Sequence, residues 1–252
     1  MADFSIIMCV YNNETTVQSA IDSFFEQKNK SAELLILEGR STDNSLNVIQ
    51  QHLDENYRSE RKRWKLVSEA DRGLYDALNK GISMSEGKYI GVLHADDFYA
   101  SSESIPFLTD ELIKHNLLIG NAAFIDGVGR IIRYHDSLKH KAWQFRFGMM
   151  PSHTAAFIKT TVFKEIGSYS LHYQIASDFD LYIRMFTSNK WNPIYLNQLI
   201  VKMRYGGLST SGLGSKRKLN QELIDILKEN KITSSRFLIL FRYLLKLRQY
   251  VT

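Results

Sequence analysis

The sequence predicts an α/β protein: a mostly parallel central sheet flanked by helices on both faces, followed by a helical C-terminal tail. Two observations carry this prediction. Short apolar runs at residues 5–10, 33–37, 64–68 and 89–93 alternate with segments at 15–27, 45–53 and 74–84, and the segments read as helices rather than strands. Strands alternating with helices imply parallel pairing with both faces of the sheet covered. The 252 residues, 44% of them hydrophobic and three of them proline, are enough for a substantial core in one large domain or two fused halves.

Each element follows from its own pattern. The run SIIMCV reads as a buried strand, and Val17, Ala20, Ile21, Phe24 and Phe25 then recur at helical spacing. LLIL is a second strand, after which GRSTDNS turns the chain into the helical stretch 45–53. Residues 64–68 form a third short strand. Leu74, Ala77, Leu78 and Ile82 mark a third helix before the apolar run 89–93 returns as a strand. In such sheets ligands bind where strands end, at the carboxyl edge.

Composition excludes several function classes. The sole cysteine, Cys9, sits inside an apolar run, so no disulfide framework exists and a reducing compartment is expected. The N-terminal stretch lacks the basic region of a signal peptide, and no run approaches the roughly 20 apolar residues of a membrane-spanning helix; a cytoplasmic location is expected. The net charge is +5, but nine Lys or Arg against three Asp or Glu from Lys216 onward place +6 in the tail and about −1 in the body. A nucleic-acid binder would spread basic residues over a docking face, so no nucleic-acid partner is expected. The loop YNNETT after the first strand has no glycine, which argues against a dinucleotide fold, and no phosphate loop ending in Gly-Lys-Ser/Thr is present.

Polar residues collect at all four predicted strand ends: Tyr11, Asn12 and Glu14; Glu38 and Arg40; Glu69 and Asp71; His94, Asp96 and Asp97. Each alone reads as a helix cap or a solvated loop. Together they point to a site. The adjacent carboxylates of Asp96 and Asp97 would repel each other without a cation, and oxygen ligands suit a hard divalent ion, Mg²⁺ or Mn²⁺, that binds the phosphates of a nucleotide.

Four blocks, SIIMCVYNNETTVQSAIDSFFEQ, LLILEGRSTDNS, SEADRGLYDALNKGISMSEGKYIGVLHADDFY and ASDFDLYIRM, resemble in sequence order the family-two glycosyltransferases of the GT-A fold, especially those that build bacterial surface polysaccharides. The resemblance implies a GT-A catalytic domain over residues 1–205, with a nucleotide-sugar half at 1–100 and an acceptor half at 101–205, and a basic amphipathic helical tail at 206–252. It implies that Val10, Tyr11 and Glu14 line the nucleotide pocket, that Glu38 contacts the uracil of a UDP-sugar, that Asp71 faces the nucleoside, and that Asn79 lies in the helix beside it. The family's Asp-x-Asp metal motif reads His94, Ala95, Asp96 here, so Asp96 is the expected metal ligand with Asp97 second. His94 itself is open between a phosphate contact, metal ligation and a structural role. Asp178 matches the family's catalytic base, with Asp180 as the alternative, and both also read as helix-capping residues. His153 resembles an acceptor-side histidine.

The resulting expectation is an inverting, metal-dependent transferase acting on a glycan or lipid-linked acceptor in cell-surface polysaccharide or lipopolysaccharide synthesis. A non-catalytic nucleotide-sugar-binding protein and a nucleotidyltransferase are the alternatives. Residues 205–210, YGGLST, read either as an ordinary loop or as a lid over the diphosphate. In SSRFLILFRYLLKLRQYV, Arg242, Lys246 and Gln249 share one stripe and most of the remaining circumference is apolar. That apolar surface needs a cover: the catalytic body, a second subunit in a homodimer, or the inner face of the plasma membrane.

Overall fold

The computed structural model describes residues 2–204, 212–247 and 249–250. Three strand–helix units open the chain: β1 (Phe4–Val10) and α1 (Val17–Phe25), β2 (Ala32–Glu38) and α2 (Ser45–Asn56), β3 (Trp64–Ser68) and α3 (Leu74–Met84), followed by β4 (Tyr89–Val92). β1 pairs in parallel with both β2 and β4, and β2 with β3. These four strands match the apolar runs of the sequence to within a residue or two.

The second half is mixed rather than parallel. After the short β5 (Phe98–Tyr99) come β6 (Leu117–Ile125), β7 (Ile131–His135), β8 (Ala156–Lys159) and β9 (Pro193–Arg204), with α4 (Thr160–Ile166) and α5 (Ser177–Thr187) between the last two strands. The sheet order is β3-β2-β1-β4-β8-β6-β9-β5, with β7 beside β6. β8 runs antiparallel to both β4 and β6, and so joins the parallel first half to the rest.

Strand alternation divides the core into two layers. Phe4, Ile6, Met8 and Val10 point to the side covered by α1 and α2, where Ile21, Phe24 and Ile49 are buried with them. Ile7 points the other way, to Leu78 of α3 and Phe179 of α5. Burying side chains of this size stabilises by about 1.5–3 kcal/mol each. α3 lies so close to β1 that a Cβ on Gly81 would stand 2.5 Å from Ile7 Cγ2.

Two C-terminal helices, α6 (Gly212–Glu229) and α7 (Arg236–Leu247), pack on the same layer as α3 and α5, through Leu223, Ile226, Leu227 and Ile239. On α7 the polar stripe faces the body. Arg242 is 2% exposed, whereas Phe237, Leu240, Leu244 and Leu247 are 55–73% exposed. Among the described residues no helix is long and apolar enough to cross a membrane.

Candidate active site

Parallel pairing sets Val10 opposite Glu38, so the loops that leave β1 and β2 run side by side. They are laced together. The Asn12 amide donates to Ser41 Oγ at 3.0 Å, the Thr42 amide to Asn12 Oδ1 at 2.8 Å, and the Asn44 amide to Glu14 Oε2 at 2.8 Å. Asn12 and Arg40 hold φ of 56° and 57°, a left-handed backbone that side chains other than glycine seldom adopt and that gathers at functional sites. Gly39 lets two further groups converge: a Cβ there would lie 3.1 Å from Asp71 Oδ2 and 3.6 Å from the ring of Tyr11. Asp71 is held by Lys80 Nζ at 2.6 Å, and Tyr11 is 60% exposed. Val10, Tyr11, Glu14 and Asp71 thus gather at one end of the sheet.

Two residues expected at the nucleotide are engaged elsewhere. Glu38 is 1% exposed, and its two oxygens accept from the Ser41 amide at 2.6 Å and the Ser68 hydroxyl at 2.5 Å. Burial works to raise its carboxyl, but these donors outweigh burial and hold it below the ordinary range. Through these bonds it braces the β2 loop. Asn79 makes a two-way pair with the backbone of Tyr169, donating to its carbonyl at 2.8 Å and accepting from its amide at 2.9 Å. Its amide group is a structural tie between α3 and the loop before α5.

At the end of β4 the expected acidic pair splits. Ala95 is buried with the α1–α2 layer, so only its backbone can meet a ligand. Asp97 is 4% exposed and accepts from the Arg204 amide of β9 at 3.2 Å; burial first, and the neighbouring Asp96 second, push it up to about 8. Asp97, expected as the second metal ligand, links β4 and β9 through its bond to Arg204. Asp96, half-buried, is the carboxylate left at this turn. Arg204 also donates to the Asp96 carbonyl and, at 3.1 Å, to Ser19 Oγ of α1; nothing in the sequence singled it out. Among the described residues no group of three or more His, Cys, Asp or Glu side chains is disposed to hold a metal.

The position where the family motif has its first aspartate instead starts a polar chain. His94 Nε2 lies 3.1 Å from His153 Nε2, His153 Nδ1 lies 3.1 Å from Asp178 Oδ2, and the Tyr75 hydroxyl stands 3.4 Å from Asp178 Oδ1. His153 Nδ1 donates to the carboxylate, and one of the two facing Nε2 atoms carries the proton shared between His94 and His153. Burial, and after it His153, push His94 down to about 3, so its ring is neutral. Asp178, in the first turn of α5, benefits from the positive end of the helix. The structure therefore brings His94, His153 and Asp178 together.

Asp180, two residues on in the same turn of α5, does not join them. It is 5% exposed and takes Arg184 Nε at 2.8 Å, while the same guanidinium donates to the carbonyls of Ile166 and Ser168. Burial raises its carboxyl and Arg184 opposes that rise. Asp180, the alternative base of the sequence reading, is part of a clip that fixes the chain before α5. Glu222 of α6 went unnoticed in the sequence. It is 7% exposed and accepts the amides of Gln174, Ile175 and Ala176 at 2.9–3.0 Å, so a carboxylate from the tail shapes the turn that delivers Asp178. The expected lid at 205–210 lies outside the described residues.

Comparison with known proteins bears on the family and the fold. The model of glycosyl transferase family 2 matches residues 5–171. The chain is 26% identical over 212 residues to a PGL/p-HBAD biosynthesis glycosyltransferase of Mycobacterium tuberculosis, covering 82% of this chain and 79% of that protein. Among solved structures it is similar to S. aureus TarS 1-349 in complex with UDP-GlcNAc (TM-score 0.67, 15% identity) and to the mannosyltransferase PcManGT of Pyrobaculum calidifontis in complex with GDP-Man and Mn2+ (TM-score 0.65, 14% identity). The likeness covers 90% and 92% of this chain but only 66% and 65% of those chains, and at such identities it speaks for the fold alone. Mixed α/β architecture, the family match and the named relatives converge: the chain belongs to glycosyl transferase family 2, a glycosyltransferase with the GT-A fold.

Proposed function

We propose that the protein transfers a sugar from a nucleotide-sugar donor, a UDP-sugar in our reading, to a glycan or lipid-linked acceptor of a bacterial cell-surface polysaccharide or lipopolysaccharide, with inversion at the anomeric carbon. The observation that carries the proposal is the line His94–His153–Asp178, which runs from the donor-side turn of β4 to the first turn of α5. Val10, Tyr11, Glu14 and Asp71 hold the nucleoside. The acceptor hydroxyl attacks the anomeric carbon as the bond to the diphosphate breaks, and its proton passes to Asp178. His153, hydrogen-bonded to Asp178, orients that carboxylate and borders the acceptor. Base assistance of this kind contributes about 10²–10⁴-fold.

A divalent cation, Mg²⁺ or Mn²⁺, would stabilise the charge that gathers on the leaving diphosphate. Asp96 supplies one carboxylate, which fits a hard cation that takes one or two protein carboxylates and completes its shell with substrate phosphates and water. The outward apolar face of α7, together with the +6 charge from Lys216 onward, suits peripheral seating on an anionic membrane surface, where Lys and Arg near the headgroups add about 1 kcal/mol each. Release of nucleoside diphosphate from UDP-sugars in the presence of Mn²⁺ tests the transferase reading; an enzyme that releases none from any donor, with or without acceptor glycans, rules it out.

A further inference from the structure

The exposed apolar side of α7 continues onto a second element. The 3₁₀ segment Ala142–Phe147 lies beside α7, and its end is fixed there: a Cβ on Gly148 would stand 2.9 Å from Leu223 Cδ1 of α6 and 3.1 Å from Ile239 Cδ1 of α7. Trp143, 55% exposed, meets Phe147 edge-on with ring centroids 5.5 Å apart; Phe147 lies 6.1 Å from Phe241, and Phe241 stacks with Phe237 at 6.2 Å. Four aromatic rings from two elements thus form one row, with Leu240 and Leu244 exposed on the same helix.

Cations accompany this row, and acids are missing from both of its segments. Residues 137–149 contain three Lys or Arg and residues 230–252 five, with no Asp or Glu in either stretch. Arg146 is exposed; its Nε donates to the Thr233 carbonyl at 2.8 Å, and the Ser234 hydroxyl donates to the Arg146 carbonyl at 2.5 Å. Thr233 and Ser234, with the exposed Lys228 and Lys231, line an open cleft of about 330 Å³ at the α6–α7 turn. Glu229, the acid that precedes this turn, is engaged by the Tyr173 hydroxyl at 2.7 Å. Apolar rings with cations and no acids complement an anionic bilayer, where rings enter the headgroup boundary and Lys and Arg meet the phosphates. A second copy seated on the same face would set these cations against their own equivalents.

We propose that the segment 142–147 and α7 form one docking face for an anionic phospholipid bilayer, with Trp143 as an anchor and the cleft at the α6–α7 turn receiving headgroup phosphates. The inference rests on the membrane seating proposed above and goes beyond it by adding a second element and a headgroup site. It also sets the bilayer on the acceptor side. Phe145, the inward residue of the segment, is 1% exposed, and its ring lies 6.1 Å from that of Phe179, the neighbour of Asp178. The segment that meets lipid on one side therefore packs against the start of α5 on the other.

The test is co-sedimentation of the full chain with vesicles of phosphatidylcholine, and with vesicles of phosphatidylcholine and phosphatidylglycerol in equal parts. The expected result is binding to the anionic vesicles that falls about tenfold or more in Trp143→Ser and in Phe237→Ser, and about fivefold for each charge removed in Lys228→Gln and Lys231→Gln. Wild-type binding by Trp143→Ser alongside a loss in Phe237→Ser overturns the composite face and leaves seating on α7 alone standing. Equal binding to both kinds of vesicle overturns the headgroup site, and binding to neither overturns the inference and the seating together. A dimer in sedimentation that Trp143→Ser dissolves assigns the face to a second copy and equally overturns it. Should Trp143→Ser fail to fold, wild-type tryptophan emission must be quenched by vesicles of bromine-labelled phosphatidylglycerol, since Trp64 is buried and Trp191 packs on the core; unquenched emission sinks the idea. Nucleoside diphosphate release with Mn²⁺ and no vesicles should be the same in Trp143→Ser and wild type, and it reports on the transferase reading separately.

Discussion

Replacing Asp178 by asparagine removes the proposed proton acceptor while leaving its outline in place. The side chain is 12% exposed, and an amide oxygen can still accept from His153 Nδ1, 3.1 Å away in the native protein, and from the Phe179 amide. Two losses in stability are expected: the charge-assisted part of the His153 bond, and the interaction of a carboxylate with the α5 N-terminus, about 0.3–1 kcal/mol. Together they amount to about 1–2 kcal/mol, or a melting shift of about 2–8 °C at this chain length. The kinetic effect is much larger. Without a base the acceptor hydroxyl must lose its proton to water, and turnover should fall by about 10²–10⁴, equivalent to about 2.7–5.5 kcal/mol of barrier. Affinity for nucleoside diphosphate with Mn²⁺ should stay within about twofold, because Asp178 is not among the groups gathered at Tyr11 and Asp71. The assay is initial-rate measurement of transfer at saturating donor, with nucleotide binding by calorimetry. A variant that turns over within about threefold of wild type refutes the base assignment, and one that loses nucleotide binding refutes the division of labour between the two ends of the site.

Four further outcomes follow from the same geometry. Asp180→Ala strips Arg184 of its carboxylate partner inside a largely buried clip, so thermal denaturation should show a loss of about 2–4 kcal/mol, whereas a catalytic role would show as lost turnover at unchanged stability. Glu222→Gln should lower turnover more than donor affinity, because the three amides it accepts set the turn before Asp178; equal turnover to wild type would dissociate the tail from the site. For Asp97, whose folded carboxyl is raised to about 8 from an ordinary 3.8, the folded state binds more protons between those values. Its contribution to stability is therefore fully present below about pH 4 and lost as pH rises through 8, and Asp97→Asn should flatten that decline in denaturant titrations. For Lys246, lowered to about 7 from 10.5, the unfolded state binds more protons across that window, so stability should rise with pH between 7 and 10.5 and Lys246→Met should abolish the rise.

The parallel half of the fold was legible because β1, β2 and β4 are buried on both faces, which writes continuous apolar runs into the sequence, while the edge strand β3 is only partly buried. The turn 94–97 and the block around Asp178 were legible through their resemblance to known motifs. What a single chain does not write is which way a polar side chain turns. Glu38, Asn79, Asp97 and Asp180 look like site residues by type and place, yet each is bonded within the protein, and three of the partners are far along the chain: Ser68, Tyr169 and Arg204 lie 30, 90 and 107 residues away. The stretch 101–150 offered no motif because β6 pairs with β8 and β9, strands tens of residues later, and its register slips between Ile119 and Asn121. The signals of Glu222 and Arg204 are likewise tertiary: a lone acid on a helix and a lone base at a strand end become informative only when the backbone amides or carbonyls they meet are known.

The orientation of α7 ties these findings together. A helix that merely needed to cover the body would turn Phe237, Leu240 and Leu244 inward, since each buried side chain of that size is worth about 1.5–3 kcal/mol. Here the apolar side chains are outside and Arg242 is inside, where desolvation of a guanidinium costs several kcal/mol before its hydrogen bonds are counted. Packing alone does not select that arrangement. Hydrogen bonds to Asn220 and the Gly148 carbonyl offset part of that cost on the inner face, and the outer face gains from an apolar surface to rest on. If α7 rests on a membrane, lipid composition controls turnover through the acceptor side, while donor hydrolysis without acceptor stays insensitive to it.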